Sequence, residues 1–204
     1  MTYITASRLY DYLQCPHKVW RDVYGPQEEK IKEDNPFVQL LWEKGVLHEK
    51  AIVEGIGDII DVSEGSIDER FKKTLDEMKK GTPLIYQGVL KFNNLLGIPD
   101  LLKRVDGGKY IPIDIKSGKG MEGADEFDDG KPKKHYAIQL CLYVEILREL
   151  GFANSKKGLI RDITRNEVEY DLESPQGVRN TVTWWQEYET IKNSVERLLK
   201  EALS

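Results

Sequence analysis

The sequence predicts an α/β domain, and three patterns along its 204 residues carry that prediction. Apolar positions recur at helical spacing through residues 1–82. From residue 83 short apolar runs alternate with turn residues, and the chain then returns to a helix, two more strand-like runs and a final helix. One domain over 1–204 is expected, divided into a mostly helical N-terminal part (1–82), a sheet with its helix (83–175) and a C-terminal helix (176–204).

Ser7 to Leu13 reads as a short helix, with Thr5 placed to cap it and Cys15-Pro16 near its end. Asn35-Pro36 opens a longer one, about Phe37 to Glu54, with Phe37, Leu40, Leu41, Leu47 and Ala51 among its apolar positions and Gly55 and Gly57 stopping it. Asp58 to Val62 suits a short strand. Ser66 caps a helix whose Ile67, Phe71, Leu75 and Met78 fall on one side, closed by Gly81. Three consecutive strands are expected over 84–90, 95–105 and 110–115, turned at Asn93-Asn94 and at Asp106-Gly107-Gly108. A Gly- and charge-rich loop, Ser117 to Lys134, leads into a helix from about His135 to Leu150, ended by Gly151. Strands over about 158–163 and 168–172 flank a turn at Arg165-Asn166, and a helix from Gln176 to about Ala202 ends the chain.

Composition excludes some functions and leaves others open. With 35 acidic and 30 basic residues the net charge is −5, which does not suit a protein that coats nucleic acid through bulk positive charge. A local phosphate site remains open, because bound cations reverse the sign of an acidic pocket. No apolar run reaches the roughly 20 residues that cross a bilayer. Met1 to Ser7 has no basic-then-apolar pattern, so no signal peptide is expected. Two cysteines, Cys15 and Cys141, make no disulfide framework and point to a reducing cytoplasm.

The chemistry concentrates on the central hairpin. Ile98-Pro99-Asp100 lies in its first strand, and Ile113-Asp114-Ile115-Lys116 ends its second. Pairing through Gly107-Gly108 brings Asp100 near Asp114, and residues two apart share a strand face, so Asp114 and Lys116 point the same way. Charged strand ends are usually only solvated. Here, however, Asp114 follows Ile111-Pro112-Ile113, where burial is expected and a carboxylate is costly without a partner or a metal. Gln139 and Tyr143 stand four apart on the next helix and share its face. His48 lies on the long N-terminal helix, flanked by Glu43 and Glu49, of which Glu49 is the candidate for a supporting role.

In this order the residues resemble the RecB-like branch of the PD-(D/E)XK nuclease superfamily, which includes AddB-type and CRISPR-associated exonucleases. The helical His is matched by His48, the Gly-x-x-Asp or Pro-Asp by Gly97-Ile98-Pro99-Asp100, the Asp-x-Lys by Asp114-Ile115-Lys116, and the Gln-x-x-x-Tyr by Gln139 to Tyr143. The stretch from Ser7 to Cys15-Pro16 also resembles the branch's Ser-x-Leu-x-x-Tyr-x-x-Cys-Pro opening. The resemblance implies a restriction-endonuclease-like mixed sheet flanked by helices, with an N-terminal helical elaboration. It implies a metal-dependent DNA nuclease, with exonuclease action in repair, recombination or mobile-element and CRISPR-type processing. A non-catalytic nucleic-acid-binding or assembly module, or an RNA-processing nuclease, is the alternative. It further implies that His48, Asp100, Asp114 and the Ile115 carbonyl hold Mn2+ or Mg2+, while Lys116, Asp100, Asp114, Gln139 and Tyr143 form the catalytic set. Lys116 then acts as base or as electrostatic stabiliser. DNA, single-stranded or with free ends, is the expected partner, with a helicase or other nucleic-acid enzyme as a possible protein partner and no membrane.

The chain departs from relatives that carry an iron–sulfur cluster, which join the N-terminal Cys to three C-terminal cysteines. Cys141 is the single other thiol, so no such cluster is expected and Cys15 reads as a small buried residue. Asp125 to Gly130 fails as a calcium loop because Phe127 and Tyr136 stand where ligands belong. Lys131, Lys133 and Lys134 read as a solvated linker that could touch a DNA backbone. Trp184-Trp185 reads as core packing or a docking surface rather than a base-stacking platform.

Overall fold

The computed structural model describes residues 2–30, 35–123, 130–177 and 179–201. Most of the rejected calcium loop and Ala202, the last residue expected of the C-terminal helix, lie outside them. Thr5 caps α1 (Ala6–Gln14) as expected, its side chain accepting from Arg8 N. A second helix, α2 (Pro16–Tyr24), follows at once. It was not expected from the sequence, where Cys15-Pro16 reads as a stop. Pro16 occupies the first helical position, where its missing N–H costs nothing, so the same dipeptide ends one helix and starts the next. Cys15, expected to be buried, is exposed at this junction, and Cys141 is the buried thiol.

Asn35 caps α3 (Pro36–Val53) through Phe37 N. The chain continues through β1 (Ile60–Asp61) to α4 (Ile67–Lys80), which opens with a reciprocal Ser66–Glu69 capping box and ends at Gly81 with φ 78°.

The next two expected strands are each broken. Residues 84–90 divide into β2 (Leu84–Tyr86) and β3 (Leu90–Phe92), and 95–105 into β4 (Leu95–Gly97) and β5 (Leu101–Val105). The break begins at Gln87, whose φ of 53° turns the chain out of the sheet. β3 and β4 form a separate hairpin turned at Asn93, φ 51°. Asp100 therefore stands where the chain re-enters the sheet rather than inside a strand. Gln87 N donates to Asp100 O at 2.9 Å and closes the detour.

β6 (Lys109–Ile115) follows the Gly107-Gly108 turn. A two-stranded ribbon, β7 (Met121–Glu122) with β8 (Lys131–Pro132), forms inside what the sequence presents as a loop. Then come α5 (Lys134–Glu149), β9 (Lys157–Arg161) and β10 (Glu167–Asp171), with Arg165 at φ 66° in their turn. The last helix, α6 (Trp184–Glu201), starts later than expected. Pro175 pairs with Thr183 across a turn, and Thr183 and Gln186 then cap each other, Gln186 N to Thr183 Oγ1 at 3.1 Å and Thr183 N to Gln186 Oε1 at 3.0 Å. Trp184 and Trp185 are buried, as core packing requires.

The sheet runs β1-β2-β5-β6-β9-β10 and is mixed: β1 is parallel to β2 and β6 to β9, and the other pairs are antiparallel. The restriction-endonuclease-like expectation of a mixed sheet flanked by helices holds. Strand alternation splits the core in two. Leu102, Tyr110 and Ile160 face the main core with α5 and α6, whereas Leu101, Ile113 and Ile115 face a smaller cluster closed by Ile52 and Val53 from the end of α3. Only that end of α3 is packed. Phe37, Leu40, Leu41, Trp42, Val46 and Leu47 are all exposed. Among the described residues no helix is long and apolar enough to cross a membrane.

Candidate active site

β6 and β9 are parallel neighbours joined over one face by α5, so the carboxyl end of β6 opens where the crossover begins. That is the position at which α/β sheets hold ligands. The last ladder pair, Leu101 with Ile113, sets Asp100 across from Asp114. Asp100 Oδ2 accepts from Ile115 N at 2.6 Å, which fixes it to the strand carrying its partner. Asp114 is 2% exposed. Its Oδ1 accepts from Gln139 Nε2 at 2.7 Å, and its Oδ2 is ion-paired with Lys116 but accepts no well-oriented hydrogen bond.

α5 supplies the organising groups. Gln139 Oε1 accepts from Lys116 Nζ at 3.2 Å, and Gln139 Nε2 also donates to Tyr143 Oη at 2.9 Å. Burial keeps the Tyr143 phenol protonated by pushing its pKa far up, so it donates onward to Ile98 O at 3.4 Å. The two residues four apart thus tie Asp114, Lys116 and the chain before Asp100 into one network. The space for Tyr143 is made by Gly97: a Cβ there would stand 2.5 Å from Tyr143 Cδ1. Gly97→Ala is expected to cost about 1–3 kcal/mol by overpacking and to move Tyr143 away from Gln139. Thermal melting of the variant reads the cost.

Burial raises the Asp100 pKa well above the usual carboxylate range, and the negative charges of Asp114 and Glu49 add to it. Burial also raises Asp114, against the pull of Lys116. Burial alone would lower Lys116, but Asp114 and Asp100 hold it above the ordinary lysine value, so it stands as an ammonium. Its Nζ also lies 5.1 Å from the centre of the Tyr136 ring.

The cleft at this point measures about 510 Å³ and is lined by Asp100, Asp114, Ile115, Lys116, Gln139 and Tyr143 from the sheet and α5. Its other wall comes from α3. There the structure departs from the expected placement. Glu49 lines the cleft and His48 does not. His48 and Glu49 lie four and three residues before Ile52, so both stand on the packed side of the helix, and of the two it is Glu49 whose side chain reaches the cleft. His48 is half-buried beside it, its Nε2 buried and without a hydrogen-bond partner. Among the described residues no three His, Cys, Asp or Glu side chains stand close enough to hold a metal as they are.

Glu49 is more than the supporting residue the sequence suggests. Its Oε1 accepts from Tyr86 Oη at 2.9 Å and from Gln87 Nε2 at 2.8 Å, and the same Nε2 reaches Asp100 Oδ1 at 3.1 Å. Gln87 thus bridges two acidic groups from a left-handed backbone, a strained state that persists where surrounding structure imposes it. Arg70 assists by donating to Gln87 O at 2.8 Å. Nothing in the sequence marks Gln87 or Tyr86. Tyr136 was findable, because it shares the α5 face of Gln139 and Tyr143 at i, i+3 and i+7.

Other features fall away from this centre. Lys131 pairs with Glu122, Lys134 with Glu187, and Lys133 donates to Lys119 O. A second cleft of about 480 Å³ beside Trp185 holds Arg148, Lys156, Glu145 and Glu189 but brings no pair of buried carboxylates together.

A family model described as the PD-(D/E)XK nuclease superfamily matches residues 14–203. No curated protein matches the chain. One solved structure, described as "Crystal structure of SSO0001", is 15% identical and covers 80% of this chain and 85% of that chain. Its TM-score is 0.32, too low to bear on fold or function.

Proposed function

The chain belongs to the PD-(D/E)XK nuclease superfamily, and from that premise we propose that it is a divalent-metal-dependent deoxyribonuclease of the RecB-like branch, acting on strand ends. The superfamily implies hydrolysis of phosphodiester bonds in nucleic acid. The observation that carries the finer reading is the buried Asp114, facing Asp100 across the β5–β6 pair and held between Gln139 and Lys116. Two carboxylates buried together are costly unless a cation or proton neutralises them.

The cleft offers oxygen donors of the kind a hard divalent ion takes, though no three described His, Cys, Asp or Glu side chains stand close enough to hold one without moving. Asp100, Asp114 and the Ile115 carbonyl supply oxygens, Glu49 adds a third carboxylate to the cleft, and His48 Nε2 is an unsatisfied donor site on the same helix. We assign Asp100, Asp114, Ile115 and His48 as the ligands of Mn2+ or Mg2+, with Glu49 beside them. When bound, such an ion polarises a phosphate and lowers the pKa of water. Lys116, held as an ammonium, stabilises charge developing on the phosphate oxygens. Gln139 fixes the Lys116 amine and the Asp114 carboxylate at once, and Tyr143 fixes Gln139. Action on ends, and roles in repair, recombination or CRISPR-type processing, rest on the motif series from His48 to Tyr143. Two unpaired cysteines accord with a cytoplasmic setting.

The test is direct. Purified protein is incubated with linear duplex, circular duplex, single-stranded DNA and RNA, each with manganese, magnesium or EDTA. Degradation of linear and single-stranded DNA, survival of circles, and no cleavage in EDTA are expected. Absence of cleavage on every substrate with both cations sinks the enzymatic reading, and cleavage of RNA alone reassigns the substrate.

A further inference from the structure

α3 has apolar side chains on two sides, and the fold uses one of them. Ile52 and Val53 pack against the sheet, and Glu49 stands over the cleft. At about 100° per residue, Ala51, Leu40 and Leu47 lie roughly 100° to 140° round the helix from Ile52, on the side away from Glu49. Phe37 continues this second stripe toward the start of the helix. Phe37 and Leu47 are each 65% exposed, Leu40 is 45% exposed, and Lys44 and Ala51 are exposed with them. An open apolar stripe with polar borders marks a surface that another molecule covers.

The spacing identifies the kind of partner. Phe37, Leu40, Lys44, Leu47 and Ala51 succeed one another at alternating steps of three and four residues, which is the seam of a two-helix coiled coil. From this stripe we propose that α3 lies antiparallel against α3 of a second copy of the chain, forming a two-fold symmetric dimer. The proposal is independent of the nuclease reading, and the seam residues stand outside the cleft lining.

A two-fold interface must be its own complement, and this stripe meets that condition. In the antiparallel register that centres it, Leu40 of one copy meets Ala51 of the other, and Lys44 meets Leu47. Phe37 lies over the last turn of the opposite helix, where Ala51 leaves it room. Glu43 and Lys50 border the seam on one side. The same register sets Glu43 of each copy beside Lys50 of the other, so the dimer carries two such pairs. Among the described residues neither Glu43 nor Lys50 has an ion-pair partner within its own chain. A parallel pair would instead press Lys44 against Lys44 inside the seam and set Glu43 by His48. A single lysine in an apolar seam costs stability and specifies register, its stem packing while its ammonium reaches the edge.

Burying the stripe and its borders on both copies removes on the order of 1,000 Å² from water, the lower end for a specific interface, so a reversible dimer at micromolar concentration is expected.

Sedimentation equilibrium of the full chain from about 1 to 200 µM, in about 0.15 M salt, tests this, with melting curves as the control for folding. The wild type is expected to pass from monomer to dimer across that range. Leu40→Ala combined with Leu47→Ala empties the seam while keeping helix propensity, and stays monomeric throughout. Glu43→Lys and Lys50→Glu each turn attractive pairs into repulsive ones and weaken the dimer about tenfold, whereas the two changes in one chain restore it to within about twofold of wild type. Mixing the two single variants also restores a dimer, because each then meets its opposite. A wild type that is monomeric at every concentration overturns the proposal and leaves the stripe to a different partner. A dimer that survives loss of both leucines places the contact elsewhere and overturns it too. Failure of the charge exchange to restore the dimer, in a variant that melts as wild type, rules out the antiparallel pairing. These charged positions are exposed, so the exchange decides the matter even where the leucine variant folds poorly.

Discussion

Asp114→Asn is expected to abolish both manganese binding and cleavage, whereas Lys116→Met abolishes cleavage and leaves manganese binding within about tenfold. The physical basis is the division of labour at the end of β6. Asp114 is buried, with one oxygen on Gln139 and the other lacking a well-oriented hydrogen bond beside Lys116. In the proposed assignment it is an oxygen donor to the cation, and asparagine removes its charge. Lys116 carries no donor for a cation. In the same assignment it places a positive charge where negative charge develops on the phosphate. Removing one such group costs on the order of 100- to 1,000-fold in rate, and removing a metal ligand costs that or more. Isothermal calorimetry with Mn2+ and single-turnover cleavage of a labelled oligonucleotide separate the two effects. Both variants losing manganese together, or Lys116→Met cutting at wild-type rate, contradicts this division. His48→Ala and Glu49→Gln measured in the same calorimeter test the helix side of the cluster, with about a tenfold or greater loss of affinity expected for the ligand.

The second large effect is on stability against pH. Burial, reinforced by Asp114 and Glu49, holds the Asp100 pKa far above its unfolded value. The folded chain therefore keeps a proton that the unfolded chain has lost. Its stabilisation is full below the unfolded carboxylate pKa and is lost as pH rises through the folded value. Asp114, also raised, acts in the same direction. Metal-free protein is thus expected to melt several degrees lower at about pH 8 than at about pH 5, and saturating manganese is expected to restore most of the loss at the higher pH. His135 opposes this trend, because burial and the nearby Lys116 and Lys133 lower its pKa and favour the neutral folded form as pH rises. Carboxylates with lowered pKa, such as Glu77 and Asp162, act only at more acid pH. The difference between wild type and Asp100→Asn isolates the site's share. A variant with the same pH slope as wild type, and manganese that stabilises both equally, would refute the linkage.

How much of this was legible without coordinates depended on whether the signal was local. Thr5, Asn35 and Ser66 cap helices as their positions suggest, and Gly81 and Gly151 end helices with φ of 78° and 79°. The Asp-x-Lys face follows from strand alternation, and the Gln139–Tyr143 link from helical spacing. Failures came where a residue had two local readings. Pro16 reads as a stop and also starts α2, and the apolar run at residues 84–90 reads as one strand although Gln87 turns it away.

The sequence by itself determined where most of the helices and strands lie and which polar groups the hairpin and α5 carry, because capping, alternation and helical repeat operate over a few residues. The tertiary structure alone decided which side of α3 faces the sheet, and that Glu49 lines the cleft while the His48 Nε2 is buried outside its lining. It also decided the Gln87 bridge to Glu49 and Asp100, and the apolar wall at Trp42. The rotation of a helix about its axis is set by contacts between segments far apart in the chain. In α3 those contacts are made by Ile52 and Val53 against Leu101, Ile113 and Ile115, and no local pattern in Pro36–Val53 encodes them.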